Sequence, residues 1–242
     1  MVHVTFAAIT DNHELYTCAP ARQHRITKNW PSGAQDYMAR QGKCWSYNLG
    51  TKDQLGTNYL RNSKLFENDI CPNITSCPYG TLYSSLGMSL HAAGNDVIFG
   101  APGSYTWKGT IATKEFFKEF KLGDRMKDDP RSIYDYAGYS VGSGFFQKEE
   151  AVRKRLYIVG APRAGLKRAG EVYIIEPLLI RKDNKNAIKV VQTLSGSQLG
   201  EYFGASFASV DLDGDGLDDL VVGSPLSTTD VEVIADLSLI SI

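Results

Sequence analysis

An acidic nonapeptide with the sequence DLDGDGLDD, running from Asp211 to Asp219, constrains this chain more than any other feature. Carboxylates this closely spaced repel one another unless a hard cation lies among them. The alternation directs Asp211, Asp213 and Asp215 inward, and Gly216 permits a sharp turn. Leu217 then offers its carbonyl oxygen, and Asp219 closes the shell as the ninth position. Oxygen ligands in this number and charge favour Ca²⁺ over Mg²⁺, so the sequence predicts a calcium loop.

An EF-hand opens in the same way but requires a glutamate at loop position twelve and a helix after it. Counted from Asp211, position twelve is Val222, within a β-branched apolar run typical of a strand. The EF-hand is therefore excluded, and the loop is predicted to join two strands. A solvated acidic turn without metal stays open as the alternative.

Composition and charge narrow the class of protein. At 242 residues with 43% hydrophobic content, the chain is long enough for a substantial core. Its net charge of −1 indicates neither nucleic acid nor an anionic membrane surface as the partner. We expect no membrane-spanning segment, because no apolar run approaches eighteen residues. We expect no signal peptide either, because Met1-Val2-His3 leads directly into an alternating segment. Many short strand patterns, separated by Gly, Pro and Asn, predict an all-β fold with short helical pieces only at residues 113–120 and 148–155.

Four cysteines, Cys18, Cys44, Cys71 and Cys77, allow three pairings. Asn73 begins an N-glycosylation sequon, Asn-Ile-Thr, between the last two of them. Together with a calcium loop, these features favour an oxidising, calcium-rich compartment. Four buried free thiols in a cytosolic protein are the alternative.

The chain repeats itself. Each of three segments contains a glycine with a serine two residues later. Each then continues to a Gly-(Ala/Ser)-Pro triplet, and the three triplets begin at Gly100, Gly160 and Gly223. The prolines at positions 102, 162 and 225 lie 60 and 63 residues apart. A period near sixty with several strands per unit is typical of a propeller blade, which buries its faces only by stacking on neighbours. The chain holds about three and a half such units, too few to close a ring.

The motif Phe203-Gly204, followed by the acidic loop and by Gly223-Ser224-Pro225, resembles the FG-GAP repeat of integrin α subunits. Residues 100–109 and 136–142 are similar to the third-blade hairpin and the start of the fourth blade, and Cys18-Ala19-Pro20 resembles a second-blade strand. The resemblance implies an incomplete portion of a seven-bladed β-propeller. Its expected units are a partial second blade at 1–60, blades three and four at 61–125 and 126–190, and a truncated fifth blade at 191–242.

The resemblance also implies a site on each face of the propeller. Calcium is expected on the lower face, and the disulfides Cys18–Cys44 and Cys71–Cys77 are implied. The upper face would meet an integrin β subunit and an extracellular matrix ligand at the cell surface. Tyr136 and Tyr139 match family positions whose rings surround a basic residue of the β subunit, and Trp107 belongs to the same predicted partner-binding set. Ordinary half-buried strand tyrosines are the alternative for the two tyrosines.

Departures from the family pattern refine these expectations. Family members that bind Arg-Gly-Asp ligands carry an acidic residue shortly before the fourth-blade Tyr-x-Gly-Tyr-Ser, where this chain has Ile133 and Tyr134. Such members also often have an aromatic residue at the position of Thr106. We therefore expect a ligand of another class, such as a laminin-like protein. Residues 145–148 replace a second acidic loop, so a single metal site is expected. The final residues lack the expected Gly-x-Val strand, which predicts a truncated chain or fragment.

Other functions agree less well with the sequence. Residues 138–142 match the G-x-S-x-G pattern of a nucleophile elbow, which requires a histidine later in the chain. All four histidines precede Ser140, so the chain is predicted not to be an enzyme. The alternatives that remain are the propeller of a secreted calcium-dependent phospholipase and a microbial matrix- or carbohydrate-binding propeller.

Overall fold

The computed structural model describes residues 6–30, 33–40, 42–49, 84–113, 135–149, 152–165, 167–176, 189–228 and 236–240. Within these ranges the chain forms antiparallel sheets and one helical turn. The first sheet has the order β1-β2-β5, and a hairpin of β3 and β4 lies between β2 and β5 in the chain. These strands are β1 (Phe6–Ile9), β2 (Glu14–Ala19), β3 (Gln23–Trp30), β4 (Gly33–Arg40) and β5 (Lys43–Asn48).

Three further sheets follow as consecutive meanders, with the orders β6-β7-β8, β9-β10-β11-β12 and β13-β14-β15. The second sheet contains β6 (Ser89–Ala93), β7 (Asp96–Ala101), the turn α1 (Ser104–Trp107) and β8 (Thr110–Thr113). The third contains β9 (Ser140–Glu149), β10 (Val152–Ala161), β11 (Glu171–Glu176) and β12 (Lys189–Ser195), and the fourth β13 (Ser206–Val210), β14 (Asp219–Ser224) and β15 (Asp236–Ile240). The predicted all-β fold, an incomplete β-propeller, is confirmed. The division into blades stays a prediction, and β12 crosses the boundary expected at residue 190.

The prediction of a short helix at residues 148–155 was wrong. Its described residues continue β9 and begin β10, and Lys148 pairs with Arg153 across the hairpin. Because Leu156 and Ile158 are fully buried further along β10, packing of that strand overrides the local helix preference. Of the other predicted helical piece, 113–120, only Thr113 is described, and it ends β8.

The core lies between the sheets. Side chains of a strand alternate between its two faces, and the middle strands bury both. In β7, Phe99 packs toward the first sheet and Ile98 toward the third; in β10, Val159 packs toward the second sheet and Ile158 toward the fourth. Each of these two middle strands is thus covered on both sides by neighbouring sheets, as expected for propeller blades.

Neighbouring sheets are joined at two junctions by the same contact, a hydrogen bond between a serine hydroxyl and a glycine carbonyl. Gly138 and Gly204, which precede the third and fourth sheets, have φ of 83° and 82°, a region that glycine adopts without strain. The carbonyl oxygen of each accepts a hydrogen bond from the preceding sheet: Ser89 Oγ donates to Gly138 at 2.8 Å, and Ser140 Oγ donates to Gly204 at 2.7 Å. Gly87, which precedes the second sheet, has a φ in the same region, at 81°.

The glycine of each Gly-Ala-Pro triplet leaves space for this contact. A Cβ on Gly160 would overlap the hydroxyl of Ser140 and the carbonyl oxygen of Gly204, and a Cβ on Gly100 would overlap Ser89 and Gly138 in the same way. The repeated glycines of the sequence therefore lie where one sheet's backbone approaches the next.

The first junction is built around a disulfide. Cys18 and Cys44 are direct partners in the β2/β5 register and form a buried disulfide. A Cβ on Gly87 would overlap Cys18, so the disulfide lies directly beneath the next sheet's first turn. Cys71, Cys77 and Asn73 lie outside the described residues.

A further link joins the third and fourth sheets through the acidic loop. The Asp218 amide donates to the Phe145 carbonyl at 2.9 Å, and the Phe145 amide donates to Asp218 Oδ2 at 2.8 Å. The guanidinium groups of Arg153 and Arg155 lie against the Phe145 ring, 5.2 and 4.6 Å from its centroid. Arg153 Nη1 also donates to the Gly216 carbonyl at 3.5 Å. We call this end of the sheets, which carries the turns between their first and second strands, the lower face, and the opposite end the upper face.

Replacement of Gly160 by alanine tests the junction. We expect Gly160→Ala to lower the free energy of unfolding by about 2–3 kcal/mol, because the added Cβ overpacks a rigid backbone contact. Gly200→Ala is the control: no atom lies within 4 Å of its Cβ, so only the strain of a φ of 72° remains, about 1 kcal/mol. Equal losses in urea denaturation would contradict the predicted role of Gly160.

Substitution of Asp218 tests the link between the acidic loop and Phe145 of the third sheet. We expect Asp218→Ala to cost about 1–2 kcal/mol, because the Phe145 amide loses its acceptor. Asp218→Asn keeps an acceptor oxygen and should lose less than half of that. Urea denaturation in the presence of a chelator measures both without a contribution from metal. An asparagine variant as unstable as the alanine variant would contradict the hydrogen-bond explanation.

Candidate functional site

The acidic loop connects β13 to β14, and the pair Val210–Asp219 closes the hairpin beneath it. Gly214 and Gly216 adopt φ of 78° and 84°, which turns the chain back on itself without side-chain strain. The loop occupies the lower face. Asp211, Asp213 and Asp215 are exposed there, whereas the residues that return toward β14 are half-buried.

Loop amides hold the carboxylates in position. Asp211 accepts hydrogen bonds from the amides of Gly214 and Gly216 at 2.8 and 2.9 Å. Asp213 accepts from the Asp215 amide at 3.1 Å, and Asp215 accepts from the Leu217 amide at 2.7 Å. These donors orient the side chains and partly offset their charge.

Carboxylate oxygens of Asp211, Asp213 and Asp215 all lie within 4.8 Å of one another. Two oxygens that bind one Ca²⁺ at 2.3–2.6 Å are separated by at most about 5 Å, so the three fit around a single ion. Asp219 lies on the returning strand, where its Oδ2 accepts from the Leu212 amide at 3.1 Å, and it is not among the three converging side chains. Leu217 lies in the half-buried return of the loop. The three converging carboxylates are a candidate centre for a divalent cation.

Asp218 has a structural role that the sequence analysis missed. It stands outside the alternation of predicted ligands and connects the loop to Phe145 of β9. The adjacent pair Asp218-Asp219 was the available signal, since the predicted coordination uses only the second of them. The partner of Asp218 could not be identified, because it lies 73 residues away.

The upper face brings two of the predicted aromatic residues together. The Tyr136 amide donates to the Trp107 carbonyl at 2.9 Å, and both residues have positive φ, 61° and 59°. Trp107 is 38% exposed. Tyr139 is half-buried and packs edge-on against Tyr202, with ring centroids 6.4 Å apart.

Arg163 of the same chain lies against Tyr136. Its guanidinium carbon is 5.3 Å from the ring centroid, and Nη1 donates to the tyrosine hydroxyl at 3.4 Å. Beside it, Arg168 forms an ion pair with the buried Asp135 at 2.9 Å and also donates to the Arg163 carbonyl at 3.4 Å. One face of Tyr136 therefore already carries a cation, where the resemblance implied a cation from the β subunit. Sequence reasoning missed Arg163, since its separation of 27 residues from Tyr136 carries no periodic signal.

Two half-buried polar groups, Tyr173 and His91, have shifted pKa values. Tyr173 donates its hydroxyl to Glu171 at 2.6 Å; burial raises the pKa of Tyr173, and the carboxylates of Glu171 and Asp135 raise it further. His91 Nε2 lies 3.0 Å from Ser143 Oγ, and burial lowers the pKa of His91, as does the neighbouring Arg155.

The serine of the G-x-S-x-G pattern has a structural partner. Ser140 begins β9 rather than a strand-to-helix turn, and its hydroxyl donates to the Gly204 carbonyl. The neighbouring histidine, His91, pairs with Ser143 instead. This geometry lacks the elements of a nucleophile elbow. Within the described ranges, no helix has the length and apolar character needed to cross a bilayer.

Comparison with known proteins identifies the repeat. Residues 203–234 match the FG-GAP repeat. The chain is 33% identical over 192 residues to integrin alpha-8 of Mus musculus, covering 72% of this chain and 17% of that protein. It is 29% identical over 226 residues to integrin alpha-3 of Mus musculus, covering 92% of this chain and 20% of that protein. It is 32% identical over 227 residues to integrin alpha-PS5 of Drosophila melanogaster, covering 90% of this chain and 20% of that protein. The chain thus spans about a fifth of the length of these relatives.

Sequence and structure agree on the same repeat. The matched residues contain Phe203-Gly204, the acidic loop and Gly223-Ser224-Pro225, and the junction glycines of the earlier sheets occupy equivalent backbone positions. These observations favour one family over the phospholipase and carbohydrate-binding propellers. The chain belongs to the integrin α subunits, and its sheets are FG-GAP repeats of an incomplete β-propeller.

Proposed function

We propose that this chain is part of a cell-surface adhesion receptor α subunit that pairs with an integrin β subunit and binds an extracellular matrix ligand. Cell adhesion and integrin signalling follow from that assembly. The proposal is carried by one observation: stacked FG-GAP sheets present an acidic loop on the lower face and an aromatic surface, with Trp107 and Tyr136, on the upper face. Like its family, the chain is not an enzyme.

We further propose that the loop binds Ca²⁺ through Asp211, Asp213, Asp215, the Leu217 carbonyl and Asp219. Three converging carboxylates support this, because their mutual repulsion is relieved by a divalent cation. Ca²⁺ accepts six to eight oxygen ligands in flexible geometry, whereas Mg²⁺ demands a tighter octahedron and keeps more water. The exposure of the three carboxylates leaves room for water in the remaining positions.

The matrix ligand is proposed not to be of the Arg-Gly-Asp type. Among the described residues near Tyr136, the acidic side chain is Asp135, which is buried and paired with Arg168. A ligand arginine would have to break that ion pair to reach the carboxylate. Ile133 and Tyr134, which stand where Arg-Gly-Asp-binding members have an acid, lie outside the described residues.

Neutralisation of a single loop carboxylate tests the metal site. We expect Asp215→Asn to weaken Ca²⁺ binding by about tenfold or more, because an anionic ligand is lost from the ion's coordination shell. Asp218→Asn removes the same charge from the same loop but no proposed ligand, so its effect should stay below about threefold. Isothermal titration calorimetry of the chain measures both affinities. Equal effects of the two substitutions would contradict the ligand assignment.

Pairing and adhesion test the receptor function. We expect the full-length α subunit, co-expressed with the β subunits of its source organism, to reach the cell surface as a heterodimer that supports adhesion to laminin. An Arg-Gly-Asp peptide should not block that adhesion, because Asp135, the acidic side chain next to Tyr136 in the described part of the chain, is already paired with Arg168. Surface co-precipitation and an adhesion assay, each with and without a chelator, provide the measurement. Absence of a heterodimer would overturn the receptor proposal, and peptide-blocked adhesion would overturn the ligand class.

A further inference from the structure

We propose that Arg153 of the third sheet sets the Ca²⁺ affinity of the acidic loop on the fourth sheet, because its guanidinium gives that loop a positive charge that opposes a second cation. Arg153 is not a ligand of the ion: it lies on β10, whereas the loop joins β13 to β14. This inference rests on the proposed binding of Ca²⁺ and names a residue outside the coordination shell that regulates it.

Arg153 contacts the loop at a residue that also supports the proposed ligands. Its Nη1 donates to the Gly216 carbonyl at 3.5 Å. The Gly216 amide donates to Asp211 Oδ2 at 2.9 Å, and the following amide, that of Leu217, donates to Asp215 Oδ1 at 2.7 Å. The peptide group between Gly216 and Leu217 is therefore held by Arg153 at its oxygen and by Asp215 at its nitrogen. A single hydrogen-bonded residue separates the guanidinium from the Asp211 carboxylate.

Phe145 keeps the Arg153 charge close to the loop. The guanidinium carbon of Arg153 lies 5.2 Å from the Phe145 ring centroid, within the range of a cation–π contact. Phe145 is itself tied to Asp218 of the loop by two hydrogen bonds, at 2.8 and 2.9 Å. The ring that carries the arginine is thus fixed to the loop through the backbone. Where the sequence predicts no second acidic loop, the third sheet contributes a cation to the first.

The charge of Arg153 is not neutralised by a fixed partner. Its side chain is exposed, and in the described part of the chain no carboxylate forms an ion pair with it. Its field therefore acts on the loop, where it offsets part of the repulsion among the aspartates while no metal is bound. The same field acts against a divalent cation that enters among them.

Two effects of Arg153 on metal binding have opposite signs. Orientation of the Gly216 carbonyl favours the metal-binding shape of the loop, whereas like charge disfavours the ion. A hydrogen bond of 3.5 Å from an exposed side chain contributes little. Charge repulsion acts over a Debye length of about 8–10 Å at physiological ionic strength. Repulsion is therefore the larger effect, and Arg153 lowers the Ca²⁺ affinity. This direction agrees with extracellular modules, whose dissociation constants are about 10⁻⁴–10⁻³ M.

A charge series at Arg153 tests the proposal by isothermal titration calorimetry of the chain with CaCl₂. At about 10 mM ionic strength, where the Debye length is about 30 Å, we expect Arg153→Gln to bind Ca²⁺ about threefold more tightly and Arg153→Glu about tenfold more tightly. Arg153→Lys retains the charge and should stay within about twofold of the unsubstituted chain. Weaker binding by the Gln and Glu variants would overturn the proposal, because it would show that orientation of the loop outweighs charge.

Salt dependence separates charge from shape. At about 1 M KCl the Debye length is about 3 Å, so the differences within the series should fall below about twofold. Differences that persist at this salt concentration would overturn the proposal. A circular dichroism spectrum of each variant checks that the exposed substitution leaves the fold intact.

Lys167 is the matched control for net charge. It is exposed on the connection between β10 and β11, at the opposite end of the sheets, where its Nζ donates to the Ser197 carbonyl. Lys167→Gln and Lys167→Glu change the net charge by the same amounts as the Arg153 series. Because the interaction weakens with distance, their effect on Ca²⁺ affinity should stay below about twofold even at low salt. Equal effects of the two series would overturn the assignment to Arg153.

The same titrations distinguish failure of this proposal from failure of the metal site. If the unsubstituted chain takes up no Ca²⁺, the metal site is overturned and the role of Arg153 with it. If Asp215→Asn weakens binding but the Arg153 series does not change it at any ionic strength, the metal site stands and the role of Arg153 alone is overturned.

Discussion

Direct backbone contact between neighbouring sheets is the constraint on which the rest of this structure depends. At two successive junctions a serine hydroxyl of one sheet donates to a glycine carbonyl of the next, and a second glycine leaves the space for that approach. A half-buried hydroxyl and a buried carbonyl would each cost free energy if unpaired, so the hydrogen bond fixes how the sheets stack. The alternating apolar residues of β7 and β10 then fill the space on both sides.

The lower face shows how this stacking connects a candidate metal centre to the rest of the molecule. The acidic loop projects from the fourth sheet, but Asp218 ties it to Phe145 of the third through two hydrogen bonds. Arg153 adds a contact to the Gly216 carbonyl. A cation that orders the loop would therefore also strengthen the contact between two sheets.

The upper face is organised by contacts around Tyr136. Trp107 and Tyr136 are joined through their backbones, and the Tyr136 ring carries Arg163. The buried carboxylate of Asp135 forms an ion pair with Arg168, so these two charges neutralise each other.

The sequence by itself determined the repeat, the all-β class and the converging carboxylates, because each depends on local spacing: glycine and proline at fixed intervals, apolar alternation, and aspartates at every second position of one loop. Tertiary structure alone decided the partners of Asp218 and Arg163 and the strand conformation at Lys148. These contacts join residues from different elements, or replace a local helical preference by strand pairing. Spacing along a chain determines which side chains share a face, whereas the neighbour of that face is set only when sheets pack.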